Sequence, residues 1–210
     1  KMFSPYYYWW SPSTDIQPIM VCGEYIVLRG WGNQYDITLG KDTPNEGFAL
    51  IPISNPEKIK RVGLGYNVVS LSKVGEKLFL TTQKYLDKED SNYFFVAYYL
   101  GEIDLNTLIE PNLVNVPGIL LTANEEGNIL FLKDWQYDTS QEYYNYELWI
   151  RSINWGEGQE VSIIDSVKMA YPWSNVYVQS PYLFILSNNG SLVLTKMDIN
   201  NEGKFINSSE

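Results

Sequence analysis

The chain has no histidine and one cysteine, Cys22. The first absence removes Ser-His-Asp and Cys-His nucleophile arrangements, His-ligated zinc and haem, and the commonest general acid–base side chain. The second removes an internal disulfide and any site built from several cysteines. Within "PIMVCGEYIVL" Cys22 reads as a small buried hydrophobe. Charge is sparse as well: 19% of the 210 residues are Asp, Glu, Lys or Arg, against about 25% in an average soluble protein. What charge there is leans acidic, with 25 Asp and Glu against 15 Lys and Arg and a formal net charge of −10. Duplex binding rests on clustered basic side chains that neutralise phosphates, so the charge argues against a nucleic-acid partner and equally disfavours docking on an anionic membrane. The densest basic run, "KIKR" (Lys58–Arg61), reads as a solvated edge strand. No apolar run approaches the ~18 residues of a transmembrane span, and no signal peptide is present. Because the chain begins at Lys1 rather than Met, a leader or an upstream domain is expected before it. No apolar stripe of period 3.6 and helical length occurs, so helix is expected to be nearly absent.

Aromatic residues are plentiful instead, with 17 Tyr and 7 Trp, and 45% of the chain is hydrophobic. The composition is that of a globular protein, and its lean charge and heavy Tyr, Trp and Asn usage point to an exported or cell-surface one. The chain also repeats itself. "GEYIVLRG" starts at Gly23, "GEKLFLTT" at Gly75 and "GNILFLKD" at Gly127, each 52 residues after the last, and "SPYLFILS" follows 53 later at Ser180. Self-similarity at such a period signals a repeat architecture. Each phrase holds a short β-branched and aromatic run that reads as a strand buried between neighbours. Another strand-like run precedes it ("IQPIMV", "NVVSLSKV", "ILLTAN", "NVYVQS"). A third follows ("GFALIPIS", "YFFVAYYLGEIDL", "YELWIRSINW", "SLVLTKMDI"). A fourth completes the first three units ("IKRVGL", "LIEPNLVNV", "EVSIIDSVKM"), whereas the last unit ends thinly in "KFINSSE". Four strands per unit matches a β-propeller blade, which buries its faces only by stacking on its neighbours. We therefore expect an all-β, propeller-like domain over residues 1–210, with blade units at 15–63, 66–116, 118–168 and 174–206. A β-sandwich is the rival, but it does not require a four-strand phrase repeating in register.

The stretch Ala49–Thr82 resembles the LVIVD-type repeat of secreted and cell-surface β-propeller proteins of bacteria and archaea. The matching residues are Ile51, Ile53, Ser54, Asn55, Pro56, Val62, Gly63, Val69 and Gly75. Pro52 stands where that family usually has Asp, and Lys58 stands where a proline is common. Echoes of the turn recur as "EIDLN" (Glu102–Asn106) and "KMDINN" (Lys196–Asn201), while the third unit departs with "RSINWGEG". The resemblance implies a propeller and leaves the activity open, since one fold hosts many functions. Four units can close a ring or form part of a larger propeller. The aromatic segment "MFSPYYYWW" (Met2–Trp10) belongs to no complete unit. Either it supplies the missing outer strand of the fourth blade, or it belongs with a blade outside these four or with a neighbouring subunit, in which case Tyr6, Tyr7, Tyr8, Trp9 and Trp10 form an interface. The second outcome is the one expected here.

Chemistry is scarce. "GLG" (Gly63–Gly65) lacks the following helix and lysine of a phosphate loop, and "DKED" (Asp87–Asp90) lacks calcium-loop spacing. Carboxylate pairs that could hydrolyse glycosides without histidine are Glu102/Asp104, Glu125/Glu126 and Glu157/Glu160. All sit at turns or strand ends, where exposed acids are ordinary, so no catalytic residue, metal or cofactor is assigned. One constellation stands out. Trp31 and Trp135 each lie eight residues after a marker glycine, and "WGNQYD" (Trp31–Asp36) rhymes with "WQYD" (Trp135–Asp138). In a propeller the second-to-third-strand loops emerge on one face, where Trp31, Tyr35, Asp36, Trp135, Tyr137 and Asp138 would suit a sugar or a protein hot spot. The structural alternative is that each Trp packs on the adjacent blade. Sequons at Asn189 and Asn207 fit an exported glycoprotein. The expected function is a non-enzymatic, extracellular interaction or assembly module whose partner is a protein, a neighbouring subunit or further blades. The alternative is a carbohydrate-binding or glycan-active domain.

Overall fold

The structure, a computed structural model, describes residues 4–6, 19–29, 33–36, 41–44, 47–63, 67–75, 77–87, 94–105, 107, 111–138, 145–156, 161–188 and 190–206. Among them no helix forms, so none is long and apolar enough to cross a membrane. The strand β1 (Ser4–Tyr6) precedes a first sheet that opens with β2 (Ile19–Cys22) and β3 (Tyr25–Arg29). A separate hairpin, β4 (Asn33–Asp36) with β5 (Lys41–Pro44), is inserted before β6 (Gly47–Pro52) and β7 (Lys60–Gly63) complete that sheet. The second sheet contains β8 (Asn67–Val74), β9 (Lys77–Asp87), β10 (Phe94–Ile103) and β11 (Val114–Val116). The third is β12 (Ile119–Ala123), β13 (Ile129–Asp138), β14 (Asn145–Asn154) and β15 (Ile163–Lys168). The fourth is β16 (Asn175–Gln179), β17 (Tyr182–Asn188), β18 (Leu192–Ile199) and β19 (Phe205–Ile206). Apart from the inserted hairpin and β1, neighbours in each sheet follow chain order, and the ladders are antiparallel.

Each recurrent phrase is thus the second strand of a sheet, and its marker residue makes the turn into it. Gly23, Gly75 and Gly127 all have positive φ, at 55°, 57° and 70°, a backbone region that any side chain would penalise. The pairs Cys22↔Tyr25, Val74↔Lys77 and Gln179↔Tyr182 leave two-residue loops. The third turn is longer, closed by a bond from Asn124 N–H to the Ile129 carbonyl at 2.9 Å. A bulge recurs in register too: the ladder slips between Val68 and Ser70 and again between Leu120 and Thr122. The extra residues, Val69 and Leu121, each stand six positions before a marker glycine.

Of the N-terminal segment, Ser4–Tyr6 follows neither expected course. Ser4–Tyr6 pairs with β10 (Ser4↔Val96, Tyr6↔Phe94), on the strand that also carries β11. The open edge of β10 is long, and the three residues of β11 cover only part of it; β1 takes up another part. The outer strand of the fourth sheet is β19, from the chain's own C-terminal region. Residues 7–10 lie outside the described residues.

The chain divides into two compact units, one of residues 11–84 and 99–114, the other of residues 1–10, 85–98 and 115–210. In the former, Cys22, Val27, Phe48 and Leu50 of the first sheet share a buried cluster with Val68, Leu71, Leu78, Leu80 and Ile103 of the second. In the latter, Phe131, Trp135, Leu148 and Ile150 of the third sheet share one with Val176, Leu183, Ile185, Met197 and Ile199 of the fourth. Burying one such Leu or Phe contributes about 1.5–3 kcal/mol. Six consecutive residues of β13, Leu130 to Trp135, are buried, so both faces of this strand are covered. That is why "ILFLKDW" shows no alternation.

Candidate functional site

Trp135 lies inside, within the core between the third and fourth sheets. Its ring centroid is 5.4 Å from that of Trp173, which in turn is 5.6 Å from Tyr146, and the Lys133 ammonium sits 5.5 Å from the Trp135 ring. Trp173, 61% exposed, therefore carries this aromatic group into solvent from the "YPWSN" segment (Tyr171–Asn175) before β16. Sequence reasoning missed it; a Trp after Pro in a polar loop was the available signal. Tyr137 and Asp138 extend β13, opposite Tyr146 and Asn145. Tyr35 and Asp36 sit instead in the inserted hairpin, opposite Asp42 and Lys41, in the other unit. The two rhyming loops thus adopt different structures, because the segment between β3 and β6 folds back on itself while β13 runs straight on. Trp31, Asn189 and Asn207 lie outside the described residues, as do Glu157 and Glu160.

The opposite face of the third sheet carries a buried charge pair. Asp134 accepts from Arg151 Nε and Gln136 Nε2, both at 2.8 Å, and Arg151 Nη1 donates to Ser166 Oγ at 2.9 Å. The guanidinium lies 5.2 Å from the Trp149 ring, and Trp149 Nε1 donates to Glu147 at 3.0 Å, which also pairs with Lys168. Every charged partner is engaged within the network, which is the pattern of a structural rather than a reactive cluster.

Of the acid pairs, Glu102 binds Lys77 at 3.1 Å and Asp104 accepts from the Thr107 hydroxyl at 2.9 Å. Glu125 and Glu126 line an open cleft of about 300 Å³ between the turns of the third and fourth sheets. Two like turns frame it. Asn124 Oδ1 accepts from the Asn128 amide at 3.1 Å, and Asn200 Oδ1 from the Lys204 amide at 2.8 Å. Lys204 also donates to Glu202, an exposed pair that lowers the Glu202 pKa and raises that of Lys204. Among the described residues no group of three or more His, Cys, Asp or Glu could hold a metal.

The sheets stack by a repeated rule. The residue four after each marker is Val27, Phe79, Phe131 and Phe184; those three and five after are Ile26/Leu28, Leu78/Leu80, Leu130/Leu132 and Leu183/Ile185. Val27 packs in one cluster with Leu78 and Leu80, and Phe131 in another with Leu183 and Ile185. In both, the leading face of one sheet meets the receiving face of the next. The leading face of the fourth sheet is largely exposed: Tyr177 pairs across to a half-buried Phe184, and Leu194 to a half-buried Leu186, while Tyr177 is 63%, Leu194 66% and Leu192 71% exposed. The receiving face of the first sheet is apolar and incompletely covered as well. There Val21 is 59% exposed, and Ile26, Leu28 and Ile51 are only half-buried.

No protein-family model matches the chain, and no curated protein matches it.

Proposed function

We propose that this chain is a non-enzymatic assembly module of β-propeller type, exported or displayed on a cell surface, whose four sheets act as blades. The observation that carries the reading is the apolar leading face of the fourth sheet. An alternating sheet face normally buries its apolar residues, and an exposed patch of that kind marks an interaction surface. Twice in this chain the same face is used to stack on another sheet. The lack of histidine and the engagement of Glu102 by Lys77 and of Asp104 by Thr107 argue against catalysis, while the sparse charge and abundant Tyr and Trp support export. Thiol labelling of Leu194→Cys tests the reading, since the native Cys22 is buried. In the cells that produce the chain, labelling at 194 slows at least about tenfold relative to Ser191→Cys, as burial of a reactive side chain requires. Equal rates at the two positions would refute an assembly role for this face.

A second reading, a carbohydrate-binding domain, rests on Trp173. An exposed indole backed by Trp135 and Tyr146 is a rigid stacking platform for a sugar ring. Trp173→Ala then abolishes glycan binding and leaves the fold intact.

A further inference from the structure

Building on the assembly reading, we infer that the occupant of the exposed fourth-sheet face is the first sheet of a second copy of the chain. The stacking rule specifies what that face accepts: a sheet presenting apolar residues three and five positions after its marker turn. Leu78 and Leu80 meet the leading face of the first sheet in this way, and Leu183 and Ile185 that of the third. The receiving face of the first sheet carries the equivalent Ile26 and Leu28, flanked by Val21 and Ile51, and none of the four is fully buried. One chain therefore holds both halves of the same interface. The contact is head-to-tail, continuing the internal stacking from copy to copy. Two copies that exchange both faces close a ring, and copies whose rotation does not close it extend as a filament.

A head-to-tail contact has a signature that a self-complementary one lacks. Leu194→Glu spoils only the leading face and Val21→Glu only the receiving face. Each variant alone then has one bad half in every interface. A mixture restores one good interface, from the leading face of the Val21 variant and the receiving face of the Leu194 variant. Sedimentation velocity on the full chain is the measurement, with Leu192→Glu as a second leading-face variant and circular dichroism as the control for folding. The wild type associates with rising concentration to at least twice the monomer mass. Each single variant weakens association about a hundredfold or more, because it buries an unpaired carboxylate. The equimolar mixture yields a heterodimer. A wild type that stays monomeric at every concentration overturns the inference, and so does a Val21→Glu variant that self-associates like the wild type. Slow labelling at position 194 combined with a monomeric purified chain would sink the second copy as occupant and leave the assembly reading standing.

Discussion

The Asp134–Arg151 pair offers the sharpest energetic test of the third sheet. The Asp134 side chain is 2% exposed and that of Arg151 14%, with Nε and Oδ2 2.8 Å apart. Both charges have thus left water, and their desolvation is offset by each other and by contacts that include Gln136, Ser166 and the Trp149 ring. Removing one partner takes away the opposite charge that compensates the other's desolvation. Asp134→Ala should therefore cost about 3–5 kcal/mol, and Arg151→Met a similar amount. Against a total stability of about 5–15 kcal/mol for a typical domain, either loss is large. Replacing both by apolar residues of like volume, Asp134→Leu with Arg151→Met, removes both desolvation penalties. The double variant should lie within about 2 kcal/mol of wild type on either side. The two effects are then strongly non-additive, as expected for residues in direct contact. Urea denaturation followed by tryptophan fluorescence, with the slope checked for constancy across variants, reads out all four species. If Asp134→Ala costs under about 1 kcal/mol, or the double variant costs the sum of the singles, the pair is not the desolvated, mutually compensating contact described here.

Three further outcomes follow from the turns. Gly118→Ala would drive a Cβ into the Lys133 carbonyl, with the carbonyl carbon only 2.8 Å away. A loss of about 1–3 kcal/mol or more is expected by thermal denaturation, and an unchanged melting temperature would contradict the close approach of β12's entry to β13. Gly75→Ala meets nothing within 4 Å and carries only the cost of φ +57°, about 1–2 kcal/mol. Gly203→Ala combines φ +83° with a contact of 2.8 Å to Ile129 Cγ2, so it should be the more damaging of the two. Equal losses would show that this contact relaxes freely. Finally, the Glu202 carboxyl should titrate below the ordinary glutamate range by NMR, held down by the hydrogen bond and charge of Lys204, and Lys204→Met should return it toward that range. A lowered folded-state pKa makes this contribution present above the ordinary glutamate pKa and lost as the pH falls through the lowered one. Both groups are exposed, so the melting temperature should barely register it.

Most of the strand plan is legible in the sequence because turn chemistry is local. Gly23, Gly75 and Gly127 are needed at φ > 0 whatever surrounds them, and the β-branched and aromatic runs beside them favour extended backbone on their own. All four strands of each unit follow from those two signals, down to the short β19 in "KFINSSE". Other features rest on contacts between residues far apart in the chain, which no local pattern encodes. "ILFLKDW" is apolar at successive positions, so it does not reveal that Phe131 and Trp135 face the fourth sheet while Asp134 turns to Arg151. The rhyme between "WGNQYD" and "WQYD" does not extend to like strands, here for a local reason: residues 33–36 pair with 41–44 in a separate hairpin. The edge of β10 that receives Ser4–Tyr6, ninety residues away in the chain, was equally invisible. Above all, the sequence by itself determined that each sheet has two apolar faces, and only the tertiary structure decided which face stays exposed. Leu80 and Leu194 are the same side chain, and burial is a property of what lies opposite: Leu80 is covered, whereas Leu194 faces solvent.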